Sequence, residues 1–210
     1  MFDLIFPRRQ LPESAPSLRR LVLEVVAAIA VYDAAFFAWH ASLHSNPALY
    51  RRVHATHHKH SCAWAPVLLT IFPFAPVAHK QRKMILPPAC RLPTPNHPSN
   101  ISTRAVRHTF IDGSMDVACS IFALNAVGCH PLSRAVYNVV IIGLITELHA
   151  GYDFPWQLHR LVPFGLLGGP PRHEEHHHRG TVYMQKFGTY LDSAFGFVPP
   201  AASCGRRLSK

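Results

Sequence analysis

The sequence predicts an all-α fold: an integral membrane helical bundle with a cytosol-facing, histidine-rich site for two metal ions. Three observations predict it. Histidines gather in three clusters, His40-x-x-x-His44, His54-x-x-His57-His58 and His173-x-x-His176-His177-His178. Apolar runs long enough for membrane helices lie beside and between these clusters. Lysine and arginine crowd the side of the bundle that would carry the histidines.

Residues 1–20 read as an N-terminal basic segment bearing Arg8, Arg9, Arg19 and Arg20. Met1 to Pro16 is short, contains proline and arginine, and does not read as a cleavable signal peptide. Residues 21–39 (LVLEVVAAIAVYDAAFFAW) follow, with only Glu24 and Asp33 charged. At 1.5 Å per residue they reach roughly 28 Å, close to the hydrocarbon thickness of a bilayer. Two acids are costly in lipid, so both are expected to face other helices or an interface. His40 and His44 lie at the C-terminal end of this run, one helical turn apart.

The second box begins at His54, and a helix through it would stack His54 with His57 or His58. Residues 63–78 are apolar but carry Pro66, Pro73 and Pro76, and read as a re-entrant or interfacial piece. Residues 80–107 have five prolines, no hydrophobic period and scattered positive charge. They read as an atypical loop, an insertion, or sequence absent from the mature protein.

Residues 111–128 and 132–149 form a second apolar pair around Cys129-His130-Pro131, a connection short enough for an antiparallel hairpin. A hairpin goes away and returns, so His149 and the third box would emerge on the face that holds the first two boxes. Of the 21 lysines and arginines, all but Arg8, Arg9, Arg19, Arg20 and Arg134 fall on that face, which by the positive-inside rule is cytoplasmic. Residues 201–210 read as a basic C-terminal tail beyond a domain spanning 21–200.

Composition excludes several classes. Hydrophobic residues make up 49% and charged ones 15%, low in charge for a soluble domain of 210 residues. The net charge of +10 comes with no nucleic-acid motif, so anionic lipid is the simpler partner. Cys62, Cys90, Cys119, Cys129 and Cys204 make neither a zinc ribbon nor a disulfide framework. No nucleophile elbow, P-loop or dinucleotide fingerprint is present, so reducing equivalents must come from elsewhere.

Eight imidazoles from the boxes, with His149 at the end of the returning helix, suffice to hold two metals. An all-nitrogen shell with vacant positions suits non-haem iron handling dioxygen, and zinc tolerates the same ligands. Among the remaining histidines, His178 sits beside Arg179 at a solvated edge, and His60 and His159 read as structural neighbours of the site. Asp153 follows His149 by four residues, where a helix would make it an outer acceptor or extra ligand. Tyr152 and Trp156 read as membrane-interface residues.

These residues resemble the fatty acid hydroxylase superfamily of membrane di-iron enzymes, in particular its cholesterol 25-hydroxylase-like and sterol desaturase branch. The likeness is carried by FFAWHASLH at 36–44, LYRRVHATHH at 49–58 and GCHPL at 128–132, then ELHAGYDFPWQLHRLVPFGLLGG at 147–169, HEEHHHRG at 173–180 and FGTYLDSAFGF at 187–197. It runs from about residue 21 to 197 and is interrupted at 73–107. About twenty residues precede the first apolar run, fewer than the family carries ahead of its first box. The resemblance implies metal ligands at His40, His44, His54, His57, His58, His149, His173, His176 and His177. It further implies two iron ions, O2, and NADPH-derived electrons through cytochrome b5 or a reductase, in a multi-pass protein of the endoplasmic reticulum membrane. The activity implied is hydroxylation of a sterol or long-chain lipid. Desaturation of such a lipid, or a non-catalytic, truncated metal-binding relative, are the alternatives.

Overall fold

A computed structural model describes Pro12 and residues 14–59, 109–149, 153 and 155–199. The expectations for His60, Tyr152, residues 63–78, 80–107 and 201–210, and most of the basic segment ahead of Pro12, lie outside these residues. Among the described residues the structure is helical, with one isolated antiparallel bridge, Leu167 to Gly188, and no strands.

Helix α1 runs over Leu18–Ser45, longer at both ends than the apolar run alone, because the polar flanks supply its caps. The Ser17 hydroxyl accepts from the backbone N–H of Arg20 at 3.3 Å. At the other end Asn46 precedes Pro47, is held extended (φ −116°), and stops the helix. The Asn46 Oδ1 then caps the next turn, accepting from the N–H groups of Ala48 and Leu49 at 3.0 and 3.2 Å. Pro47–Leu49 leads into a π-helical turn, Tyr50–His54, and a 3₁₀ turn, His57–Lys59. The second box is therefore not one regular helix, as its spacing suggested. The wide turn swings it back over the end of α1.

Helices α2 (Phe110–Ala126) and α3 (Pro131–Leu148) are the expected hairpin. Gly128, at φ +70°, reverses the chain. Arg134 closes the turn by donating to the carbonyl oxygens of Cys129 (3.0 Å) and Leu124 (3.1 Å). Both hairpin helices pack on α1 around Ala28, Tyr32, Ala123 and Tyr137, all fully buried. The alanines let the backbones approach closely. Helix α4 (Gly169–Arg179) carries the third box and packs against α3.

The two acids of α1 face protein, as their cost in lipid requires. Glu24 pairs with Arg20 (2.6 Å) and accepts from the N–H of His130 (2.8 Å) at the hairpin turn. Asp33 accepts from the N–H groups of Phe187 and Gly188, both at 2.8 Å, and from Gln185 Nε2 at 2.7 Å. The outward faces are apolar instead: Val22, Leu23 and Val26 on α1, Ile121 and Phe122 on α2, Val139 and Ile142 on α3 are all exposed. Helices α1 and α3 are long and apolar enough to cross a membrane. An apolar exterior over a core with buried acids supports membrane association.

Candidate metal centre

All nine histidines anticipated as ligands come together, in two adjoining groups. His40, His44, His54, His58 and His176 form one, and His57, His149, His173 and His177 the other, with the ring nitrogens of each group within 4.8 Å of one another. A simple rule sorts them. Histidines four apart share a group (His40 with His44, His54 with His58, His173 with His177), while the residue three along, His57 or His176, crosses to the other. The groups touch through His58 and His177, whose ring centroids are 4.8 Å apart, and through His54 and His57 at 5.1 Å.

Five of the nine rings are aimed by what their Nδ1 meets. His40 Nδ1 donates to the carbonyl oxygen of Met184 and His176 Nδ1 to that of Val182, both at 2.7 Å. His149 Nδ1 donates to the Ile145 carbonyl at 2.8 Å, and His58 Nδ1 to the His177 carbonyl at 3.3 Å. His54 Nδ1 donates to the Asp112 carboxylate at 2.9 Å, with both side chains buried. A carbonyl or carboxylate cannot donate, so the hydrogen sits on Nδ1 and each Nε2 is a bare lone pair. Two pairs of those Nε2 atoms point at each other, His40 to His54 at 2.9 Å and His58 to His176 at 3.2 Å, and that of His149 points at His173 Nε2 at 3.0 Å.

Facing lone pairs repel unless something positive lies between them. Protons are poorly suited to that role. Burial, reinforced by the other imidazoles, holds His58 down at about 4 and His177 at about 2, and His173 and His176 well below the usual histidine range. His44 Nε2, in the same group, is buried with no hydrogen-bond partner. Neutral imidazoles, bare Nε2 atoms and backbone-fixed tautomers are the donor set a metal ion needs.

Other candidates fall elsewhere. Asp153 does not flank His149: α3 ends at Leu148, and His149 has already left helical geometry (φ −96°, ψ 2°). Asp153 pairs instead with His159 Nε2 (3.1 Å) and with Arg160. His159 packs against Gly169, where a Cβ would come within 2.2 Å of its ring. His178 lies outside both groups and meets Glu174 at 3.0 Å, which raises its pKa. Asp112, Val182 and Met184 were not singled out from the sequence. Asp112 had a signal, an acid in the first turn of an apolar helix; the two carbonyls, being backbone, had none.

A cavity of about 360 Å³ lies against the first group, lined by His44, Pro47, Tyr50, Arg51, Arg179 and Gly180. It is a polar approach to the histidines, flanked by two guanidinium groups.

Comparison with known proteins gives the same direction. No protein-family model matches the chain, and no solved structure matches it. The chain is similar to cholesterol 25-hydroxylase of Rattus norvegicus, 32% identical over 186 residues, covering 89% of this chain and 50% of that protein. It is 31% identical over 192 residues to cholesterol 25-hydroxylase of Homo sapiens, covering 91% and 57%. A cholesterol 25-hydroxylase-like protein of Caenorhabditis elegans is 26% identical over 191 residues, covering 91% and 51%. The chain thus spans about half the length of the curated relatives it matches.

Proposed function

We infer that the chain, a relative of the cholesterol 25-hydroxylases and through them of the fatty acid hydroxylase superfamily it resembles, is a membrane oxidoreductase that hydroxylates a sterol or long-chain lipid. The observation that carries the reading is the pair of histidine groups with Nδ1 hydrogens committed and Nε2 lone pairs converging. His40, His44, His54, His58 and His176 would hold one iron ion, and His57, His149, His173 and His177 the second. The Nε2 separations of 2.9 to 3.2 Å are short enough for paired imidazoles to share one ion. The five histidines of the first group exceed what a structural zinc site takes.

Iron held by these histidines would supply the dioxygen activation needed to attack an unactivated C–H bond. The chain's own residues do the rest. Asp112, Ile145, Val182 and Met184 fix the imidazole tautomers and orientations. The Tyr32–Tyr137 core excludes water on the membrane side. Arg51 and Arg179, at the cavity beside His44, form the cationic surface to which an acidic electron donor such as cytochrome b5 would dock. In this reading the histidine groups face the cytosol and the protein resides in the endoplasmic reticulum membrane.

The test is product analysis by mass spectrometry in a membrane expression host, comparing the chain with His176→Ala. A lipid that gains one oxygen only with His176 intact supports the hydroxylase. A lipid that loses two hydrogens makes the protein a desaturase. Stable, iron-loaded protein with no product makes it a non-catalytic relative.

A further inference from the structure

Between His149 and the ligand helix α4, five large apolar side chains stand exposed within eleven residues: Trp156, Leu158, Leu161, Phe164 and Leu166. Phe164 is the extreme, 93% exposed, with Trp156 and Leu161 each at 63%. Its backbone is strained as well. Phe164 lies at φ +63°, in the left-handed region that a bulky side chain rarely adopts, and Gly165 follows at φ +62°. Strain of this kind persists only where surrounding contacts enforce it. Here they do: Thr189 Oγ1 donates to the Gly165 carbonyl at 2.8 Å, and the Gly168 N–H to the Phe187 carbonyl at 2.8 Å. The fold thus holds the inner edge of the segment and turns its hydrophobic residues outward.

We propose that residues 156–166 form a lip that dips into the headgroup region of the bilayer and seats the third-box helix at the membrane surface. The proposal rests on the membrane reading above and adds a contact made by residues outside its spanning helices. Three features favour lipid over a protein partner. The segment comes soon after α3 in the chain, and that helix is a candidate span with an exposed apolar face of its own. Its one formally charged residue is Arg160, whose side chain stays half exposed while its guanidinium pairs with the buried carboxylate of Asp153. Trp156 has the amphipathic ring that settles at headgroup depth. An exposed apolar lip with arginine at its edge matches anionic lipid, the headgroup taking Arg160 and the acyl boundary taking Leu161 and Phe164.

Trp156 itself reports the contact. The full chain and Trp156→Phe are reconstituted in bilayers containing 30% phosphatidylserine by design (about a typical anionic fraction), and the fluorescence difference isolates Trp156. The expected result is quenching by lipid brominated near the headgroup at least about twice that by aqueous acrylamide. Equal exposure to acrylamide with no bromolipid quenching overturns the proposal. So does protection from both quenchers that disappears on dilution of protein in lipid, which would mean a second copy covers the lip. Resistance to alkaline carbonate extraction, measured in parallel, tests the spanning helices independently, so failure of the lip and failure of the membrane reading are distinguishable. A second variant, Phe164→Asp with Leu161→Asp, should leave bound iron per protein unchanged and raise the KM for lipid substrate about tenfold. An unchanged KM overturns the lip's place at the lipid surface.

Discussion

His40 on α1 and Met184, in the segment after α4, are joined by a 2.7 Å hydrogen bond from the imidazole Nδ1 to the backbone carbonyl. That bond sets which nitrogen of His40 faces the histidine group. Its precision depends on a residue two turns earlier on α1. Asp33 holds the segment by accepting from Gln185, Phe187 and Gly188. Gly188 has no room for a side chain, since a Cβ would lie 2.4 Å from Gln185 Nε2 and 2.8 Å from the Asp33 carboxylate. Asp33→Asn keeps the shape but replaces one acceptor oxygen with a donor, leaving at least one buried N–H without a partner at a cost of about 1–3 kcal/mol. The expected outcome is loss of iron from the His40 group before the His57 group, with affinity down about 10–100-fold. Metal analysis against a chelator series reads it, and equal loss from both groups would reduce Asp33 to a general stability role.

The same logic applies to Asp112, whose carboxylate orients His54 from α2. Asp112→Ala should weaken metal binding in the His40 group by about 10–100-fold. Asp112→Asn, which still offers an oxygen to His54 Nδ1, should recover most of it. Cobalt substitution gives a visible spectrum for each group, so the altered site can be identified without any activity assay.

The four-apart rule makes a sharper demand. His44→Ala and His177→Ala remove one ligand from different groups. Each should lower the metal count from about two per chain towards about one, and the double variant towards none. His57→Ala should behave like His177→Ala although His57 adjoins His58 in sequence. If it behaves like His58→Ala, the partition into two groups is wrong.

Much of this centre was legible in the sequence because its chemistry is concentrated in one residue type at helical spacing. The nine histidines and the α2–α3 hairpin follow from that and from apolar run length. What the spacing could not convey was backbone geometry. Asn46-Pro47 and the π turn place His54, His57 and His58 by irregular backbone, so the partner of each imidazole was undetermined. Asp153 was misplaced for the same reason: a helical i+4 argument fails one residue beyond the last helical residue. Asp33 was visible only as an anomaly, an acid in an apolar run. Its partners lie about 150 residues away, in a loop without a hydrophobic period.

Asp192 gives the protein a pH response separate from the metal ligands. Its carboxyl is buried, accepts from the Gln185 N–H at 3.1 Å, and has its pKa raised by that burial from 3.8 to about 6. Between about 4 and 6 the folded state therefore holds a proton that the unfolded state has released. Stability from this group is fully present below about 4 and is lost as pH rises through about 6. Asp192→Asn keeps an oxygen for Gln185 without the ionisation. Its thermal midpoint should match the parent at about pH 3.5, exceed it at about pH 7.5, and lose the slope between. Parallel curves for the two proteins would show that the carboxyl does not carry the response.

The cavity beside His44 supplies the last prediction. In the proposed function electrons come from a separate protein, and this cavity has a predicted ligand, His44, in its wall. Arg179 is partly neutralised by Glu175 at 3.0 Å, whereas Arg51 is exposed and has no ion pair among the described residues. Arg51 should therefore dominate attraction of an acidic donor. Charge reversal at a rim position acts mainly on association, so Arg51→Glu should raise the KM for the donor about three- to tenfold and leave kcat unchanged. Raising salt should erase the difference, because an exposed charge is screened within about 10 Å at 0.1 M. A small uncharged reductant, which needs no docking surface, should serve both proteins equally. If Arg51→Glu is impaired with that reductant too, the substitution has disturbed His44 and the first group, and the cavity is not the donor's entrance.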